Sequence, residues 1–265
     1  MRSSRYLAAV CVISLLGLVA GCSSSDGTIS SPPAPLSPTV VAAGLNAVVP
    51  AAIQFPSGII EILNSFIPPA PGAALGGISC SPLPLNICTT GEAESCTTGE
   101  LNTTDWVFTS CVDDSGSTIN GTARVNEVGS TATIVFPSSG FTVGGNALSG
   151  QLTINTVSPA QSIDPGSTVQ FANLVLTVEG NGATLNGGPL TIAGEVVNGV
   201  FQVLLSDSIF PAYQTGVTIN SNSVAAIATD TSTTPPTLYT CTGTLSYSDG
   251  DATTDLNCVE GLPGV

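Results

Sequence analysis

The chain has 265 residues, of which 18 are Asp or Glu, three are Lys or Arg and none is His, giving a formal net charge of −15. Arg2 and Arg5 stand at the very start, so beyond residue 22 Arg124 alone faces all 18 acids and the side-chain charge is 1 minus 18, or −17. Such a chain repels nucleic acid, anionic head groups and phosphorylated substrates, and the absence of His and Lys removes His-based triads, His-ligated zinc and Schiff-base chemistry.

Residues 1–22 have the layout of a secretory signal: a basic start at Arg2 and Arg5, a mostly apolar run from Tyr6 to Ala20, and the closing Leu18-Val19-Ala20-Gly21-Cys22. The run is too short for a transmembrane span of about 20 residues. This segment resembles the signals of the bacterial lipoprotein class, in which a Leu and small residues precede the cysteine that becomes the mature N-terminus. The resemblance implies cleavage before Cys22, acylation of its sulfur and new amine, and attachment to the membrane through those chains. With Ser23 rather than Asp after the cysteine, it also implies the outer membrane of a Gram-negative envelope. It covers the signal only and implies an anchor, not an activity.

Residues 23–41 are Ser, Pro, Gly and Thr with hardly a charge, which predicts an extended tether of at most roughly 60 Å at about 3.1 Å per residue. In residues 42–74, Ile59, Ile62, Leu63 and Phe66 follow helical spacing between Ser57 as cap and Pro68-Pro69 as stop. One short amphipathic helix is predicted there. Its flanks lack the Lys or Arg of an interfacial helix, so it is expected to pack on the rest of the domain as a lid.

Residues 75–265 are expected to form one disulfide-containing all-β domain. Cys80, Cys88, Cys96, Cys111, Cys241 and Cys258 make an even number of cysteines besides Cys22, Cys11 leaving with the signal. In an exported chain this reads as three disulfides. A metal cluster is the alternative, but there is neither a Cys-x-x-Cys nor a His. Pairing among the first four cysteines is left open.

Near copies of one phrase recur through the domain: Gly116-Ser117-Thr118-Ile119-Asn120-Gly121, Gly150-Gln151-Leu152-Thr153-Ile154-Asn155, Gly182-Ala183-Thr184-Leu185-Asn186-Gly187 and Gly216-Val217-Thr218-Ile219-Asn220. With Gly250 as a weaker fifth, the opening glycines are 34, 32, 34 and 34 residues apart. Second breakers lie midway, at Gly129-Ser130, Pro165-Gly166, Asn198-Gly199 and Thr233-Thr234-Pro235-Pro236. Two turns per repeat give one strand up and one down.

The last hairpin can be registered residue by residue. Asp249-Gly250 as a two-residue turn pairs positions whose numbers sum to 499. Cys241, Leu245 and Tyr247 then share a face with Ala252, Leu256 and Cys258, opposite a polar face of Thr, Ser, Asn and Asp. Cys241 meets Cys258 at a non-hydrogen-bonded pair, where Cα atoms lie about 4.5 Å apart, which suits a cross-strand disulfide. Elsewhere Val169 and Phe171 have one parity and Leu174, Leu176 and Val178 the other, which predicts a bulge near Ala172-Asn173.

The fold expected is therefore an up-and-down antiparallel sheet of roughly ten strands, curled or closed into a partial barrel, with a β-solenoid or β-sandwich as the alternative. Two chemistries survive the composition. Paired carboxylates, drawn from Asp105, Glu127, Glu179 and Glu195, can run glycoside hydrolysis, although one Trp offers little sugar platform. Calcium takes oxygen ligands alone, and Asp113, Asp114, Asp249, Asp251 and Asp255 lie in or beside acidic turns without matching the twelve-residue calcium loop. The reading favoured over both is a non-enzymatic, anchored envelope protein with a structural or interaction role and no cofactor. A carrier holding an apolar ligand or lipid in the curl of the sheet is the alternative.

Overall fold

The computed structural model describes residues 34–64, 79–83, 88–112, 116–155, 166–178, 181–193, 196–206, 210, 213–248 and 251–261. One helix, α1 (Pro38–Asn64), precedes fourteen strands. These are β1 (Cys80–Pro82), β2 (Thr90–Thr97), β3 (Thr103–Val112), β4 (Thr118–Val128), β5 (Thr131–Phe136), β6 (Thr142–Val143) and β7 (Asn146–Asn155). They continue as β8 (Thr168–Val178), β9 (Asn181–Ala193), β10 (Val196–Ser206), β11 (Tyr213–Asn220), β12 (Ser223–Asp230), β13 (Thr237–Ser248) and β14 (Asp251–Glu260).

All fourteen belong to one antiparallel sheet in which each strand neighbours the next along the chain, apart from the two-residue β6, which pairs β4 and β7. Because β5 also lies between β4 and β7, those four strands close on themselves as a small barrel, and the remaining strands extend from it as a meander. The sequence leads to about ten strands; the excess comes partly from β1 and β6, too short to show any alternation. Along β11 and β12 the alternation is plain: Tyr213, Thr215, Val217 and Ile219, then Val224, Ala226, Ala228 and Asp230, face inward, with exposed residues between all but the last pair.

Two of the sheet's bulges share one arrangement. On β3, Thr109 and Ser110 oppose the single Asn120 of β4, and on β8, Ala172 and Asn173 oppose the single Asn186 of β9. The second is the bulge that the change of parity predicts. In each, the last bulged residue is left-handed, with φ 48° at Ser110 and 47° at Asn173. Each then donates its amide to the facing asparagine Oδ1 at 2.7 Å. The asparagine ending two of the Gly-x-Thr-Ile/Leu-Asn phrases thus clasps a bulge. In the other two, Asn155 and Asn220 end β7 and β11 instead. Gly121 follows Asn120 with φ 107°, and a Cβ there would stand 2.2 Å from the Gly140 carbonyl oxygen. That approach lets Phe141 cover the small barrel, packed on Phe136 and Phe108 at ring distances of 5.0 and 5.9 Å.

The helix is longer than the sequence suggests and starts earlier. Ser37 caps it, Pro38 takes the first helical position, and Ser57, expected as the cap, lies in its interior. Residues 38–41, read from sequence as the end of the tether, are helical. Val41, Leu45, Val48, Val49, Ala52 and Ile53 are buried at helical spacing, each larger one contributing about 1.5–3 kcal/mol. Pro50 and Pro56 disguise this periodicity, because prolines ordinarily interrupt a helix. Phe66, Pro68 and Pro69 lie outside the described residues.

Helix α1 belongs to the same core as the sheet. It lies along β14 and touches β9. Gly44 approaches so closely that a Cβ would be 2.4 Å from the Phe210 ring. Tyr239 of β13 donates its hydroxyl to the Leu36 carbonyl just before the helix. The strands from β9 to β14 therefore curl round α1.

Candidate functional site

The densest polar cluster is where α1 enters the curl. Asp230, at the end of β12, is 2% exposed, and its carboxylate accepts three hydrogen bonds. Tyr213 Oη donates to Oδ2 at 2.9 Å, while Ser232 donates its amide at 2.9 Å and its hydroxyl at 2.6 Å to Oδ1. Thr233 donates to the Asp230 carbonyl and accepts from the Thr237 amide, which fixes the β12–β13 turn. Tyr213 stacks edge-on against Phe210 and lies 6.2 Å from the Tyr239 ring.

Burial, reinforced by the hydrogen bond to Asp230, raises the Tyr213 hydroxyl well above its ordinary range, so it remains a donor; burial likewise raises Tyr239. A carboxylate with three donors and almost no exposure is a clamp rather than a reagent: it has neither access to solvent nor a spare donor to exchange. The sequence signal was the Asx-turn phrase Asp230-Thr231-Ser232; the tyrosine partner has no local signature.

Among the described residues the candidate carboxylates, Asp105 and Glu127, do not meet as an acid–base pair. Asp105 faces Arg124 across β3 and β4, and the guanidinium donates from Nε at 2.9 Å and from Nη2 at 3.2 Å. Glu127 lies three residues beyond Arg124 on an unbroken stretch of β4. An odd separation puts it on the opposite face of the sheet, where burial raises its carboxyl above the ordinary value. Asp105 is therefore engaged outside and Glu127 is turned inward. Glu179 and Glu195 lie outside the described residues.

Of the calcium candidates, Asp113, Asp114 and Asp249 lie outside the described residues, Asp251 opens β14, and Asp255 stands exposed on the outer face of that strand. The cysteines pair as Cys80–Cys96, Cys88–Cys111 and Cys241–Cys258. The first and third join residues directly opposite each other in register, between β1 and β2 and between β13 and β14. Glu94 lies close to the Cys80–Cys96 bond, but those sulfurs are spent on each other and offer no thiolate to a metal. Cys22 lies outside the described residues. Comparison of the chain with protein-family models, with curated proteins and with solved structures finds no match.

Proposed function

We propose that the chain is a lipid-anchored protein of the bacterial cell envelope with a non-enzymatic structural or interaction role. One structural observation favours the structural or interaction role over a carrier: α1 lies in the curl of the sheet, with Val41, Leu45, Val49 and Ala52 fully buried in the common core. The space in which a carrier would hold an apolar ligand is the space that the helix occupies. The separation of Asp105 and Glu127 on opposite faces supports the same reading.

The anchor rests on the lipobox sequence. Among the described residues no helix is long and apolar enough to cross a membrane. The sheet turns mostly Thr, Ser, Gln and Asn outward, with a few aliphatics such as Val200 and Ile227 among them, and packs its continuous apolar side inward, unlike the apolar outer band of a lipid-facing barrel. Attachment through Cys22 accommodates both facts. Three acyl chains at about 0.8 kcal/mol per buried CH₂ hold far more firmly than one.

Detergent phase partitioning and intact mass test the anchor. The mature protein should enter the detergent phase carrying acyl mass on Cys22, and Cys22→Ala should remain aqueous or uncleaved. An unmodified Cys22 thiol at the mature N-terminus would refute the anchor. Bound lipid detected by native mass spectrometry inside a Cys22→Ala protein would favour the carrier instead.

A further inference from the structure

We infer that the outer face of β10–β12, centred on Gly216, is a docking surface for a second copy of this chain. From β8 to β13 the described outward positions are Thr, Ser, Asn, Gln, Ala, Gly, Pro, Val, Leu and Ile, without one charged side chain. Beyond β13 the first charge among the described outward side chains is Asp255 on β14; in the other direction it is Arg124 on β4. Among the described residues, a chain with 18 acids thus presents one continuous uncharged face. Two copies, each strongly negative, can approach without like-charge repulsion only through such a face.

The centre of the face is a hole ringed by knobs. Gly216 lies in register between Gln202 of β10 and Ile227 of β12. Diagonal to it on β10 are Val200 and Leu204. These three aliphatics are 54% (Val200), 39% (Leu204) and 49% (Ile227) exposed. A knob beside a hole is self-complementary under a two-fold axis: Ile227 of each copy can seat over Gly216 of the other.

The fold itself does not need this glycine. At Gly121, Gly150, Gly188, Gly199 and Gly243 an added Cβ would come within 3.0 Å of backbone, whereas at Gly216 it would meet nothing within 4 Å and φ is not left-handed. Glycine within a strand forfeits stability, and here it leaves a hole on the outer face that a side chain from outside the chain can fill. Six strands at about 4.8 Å spacing give a face roughly 24 Å wide by about 20 Å along the strands. That footprint, on the order of 500 Å² on the outside of a curled sheet, is smaller than the ≈800 Å² per partner of a standard interface and suits a weak, concentration-dependent dimer.

Sedimentation velocity of the mature full-length protein, in density-matched detergent across a concentration series, tests the inference. A monomer–dimer equilibrium is expected that tightens with added salt, as screening relieves the repulsion elsewhere. Ile227→Asp should weaken it about thirtyfold or more. Gly216→Thr should also give monomer while melting at the same or a higher temperature. Mixing Ile227→Asp with Gly216→Lys should restore a heterodimer. A protein that stays monomeric up to the highest concentration overturns the inference, as does a dimer that neither substitution weakens. A lowered melting temperature for Gly216→Thr would show that the fold needs the glycine, and would overturn it too.

Discussion

Asn46, on the helix, pairs with both backbone polar groups of Leu256, 210 residues away: its Nδ2 donates to the Leu256 carbonyl at 3.2 Å and its Oδ1 accepts from the Leu256 amide at 2.8 Å. Leu256 opposes Gly243, two residues from the Cys241–Cys258 pair. By the alternation of an antiparallel ladder its N–H and C=O therefore point away from β13, toward the open edge of the sheet. Asn46 does there what a fifteenth strand would do, and Thr254 adds its hydroxyl to the same oxygen at 2.9 Å. At the opposite edge, β1 is only three residues long and ends in Pro82, both ordinary deterrents to strand addition.

Asn46→Leu should therefore cost about 2–3 kcal/mol, roughly 1 kcal/mol for each of three hydrogen bonds. It should also raise aggregation through the uncovered β14 edge. Urea denaturation and light scattering read the two effects separately. A stable Asn46→Leu that scatters no more than the parent would remove the edge-covering role.

Asn120→Ala and Asn186→Ala should each cost about 1 kcal/mol by releasing the amides of Ser110 and Asn173. The strands involved, β4 and β9, are four positions apart in the sheet, about 19 Å at 4.8 Å per strand. The double variant should thus lose the sum within a few tenths of a kcal/mol. Thermal melts of the three proteins decide it.

Tyr213→Phe leaves Oδ2 of a buried carboxylate without its donor and should cost about 1–3 kcal/mol. A double-mutant cycle with Asp230→Asn isolates the pair. A coupling indistinguishable from zero would show that Tyr213 matters only through packing.

Burial holds the Glu127 carboxyl above the ordinary glutamate value, so the folded state favours the protonated form more than the unfolded chain does. Ionisation at neutral pH consequently works against folding. Glu127→Gln should melt higher than the parent at pH 7, and the advantage should disappear once the pH falls below about 4.5, where both states carry the proton. A gain that persists at pH 3 would place its origin elsewhere.

Non-reducing peptide maps should show three linked pairs, Cys80–Cys96, Cys88–Cys111 and Cys241–Cys258. No acidic residue lies between Cys80 and Cys88, so a protease cutting after Glu must be combined with one cutting after Leu85. A peptide joining Cys241 to any cysteine before residue 112 would contradict the register of β13 with β14.

Local chemistry was legible in the sequence where it was short-ranged. The spacing of Cys241 and Cys258 about Asp249-Gly250 leads to the register of the last hairpin, in which Ser248 faces Asp251 and the two cysteines meet. The parity change on β8 leads to its bulge. What could not be read was held across the chain. Asn46 looks like any polar residue of an apolar helix until Leu256 is beside it, and Tyr213 says nothing of Asp230. Cys80 and Cys88 each had three candidate partners among the first four cysteines, because β1 and β2 carry no turn signal from which to count. The start of α1 was visible in principle at Ser37-Pro38, but it followed a Ser/Pro-rich stretch from which it could not be told apart.

The order of strands has a consequence for how the molecule comes into being. As the exported chain emerges from its N-terminal end α1 comes before every strand and β14 after them all, whereas each strand of the meander meets a neighbour almost as soon as it is free to pair. The sheet can therefore grow progressively from β1. The helix cannot settle with it. The apolar stripe of Val41, Leu45, Val49 and Ala52 remains uncovered until the last strand is in place, and during that interval the nascent chain is most prone to aggregate. The first element of the fold to appear is thus the last to be covered.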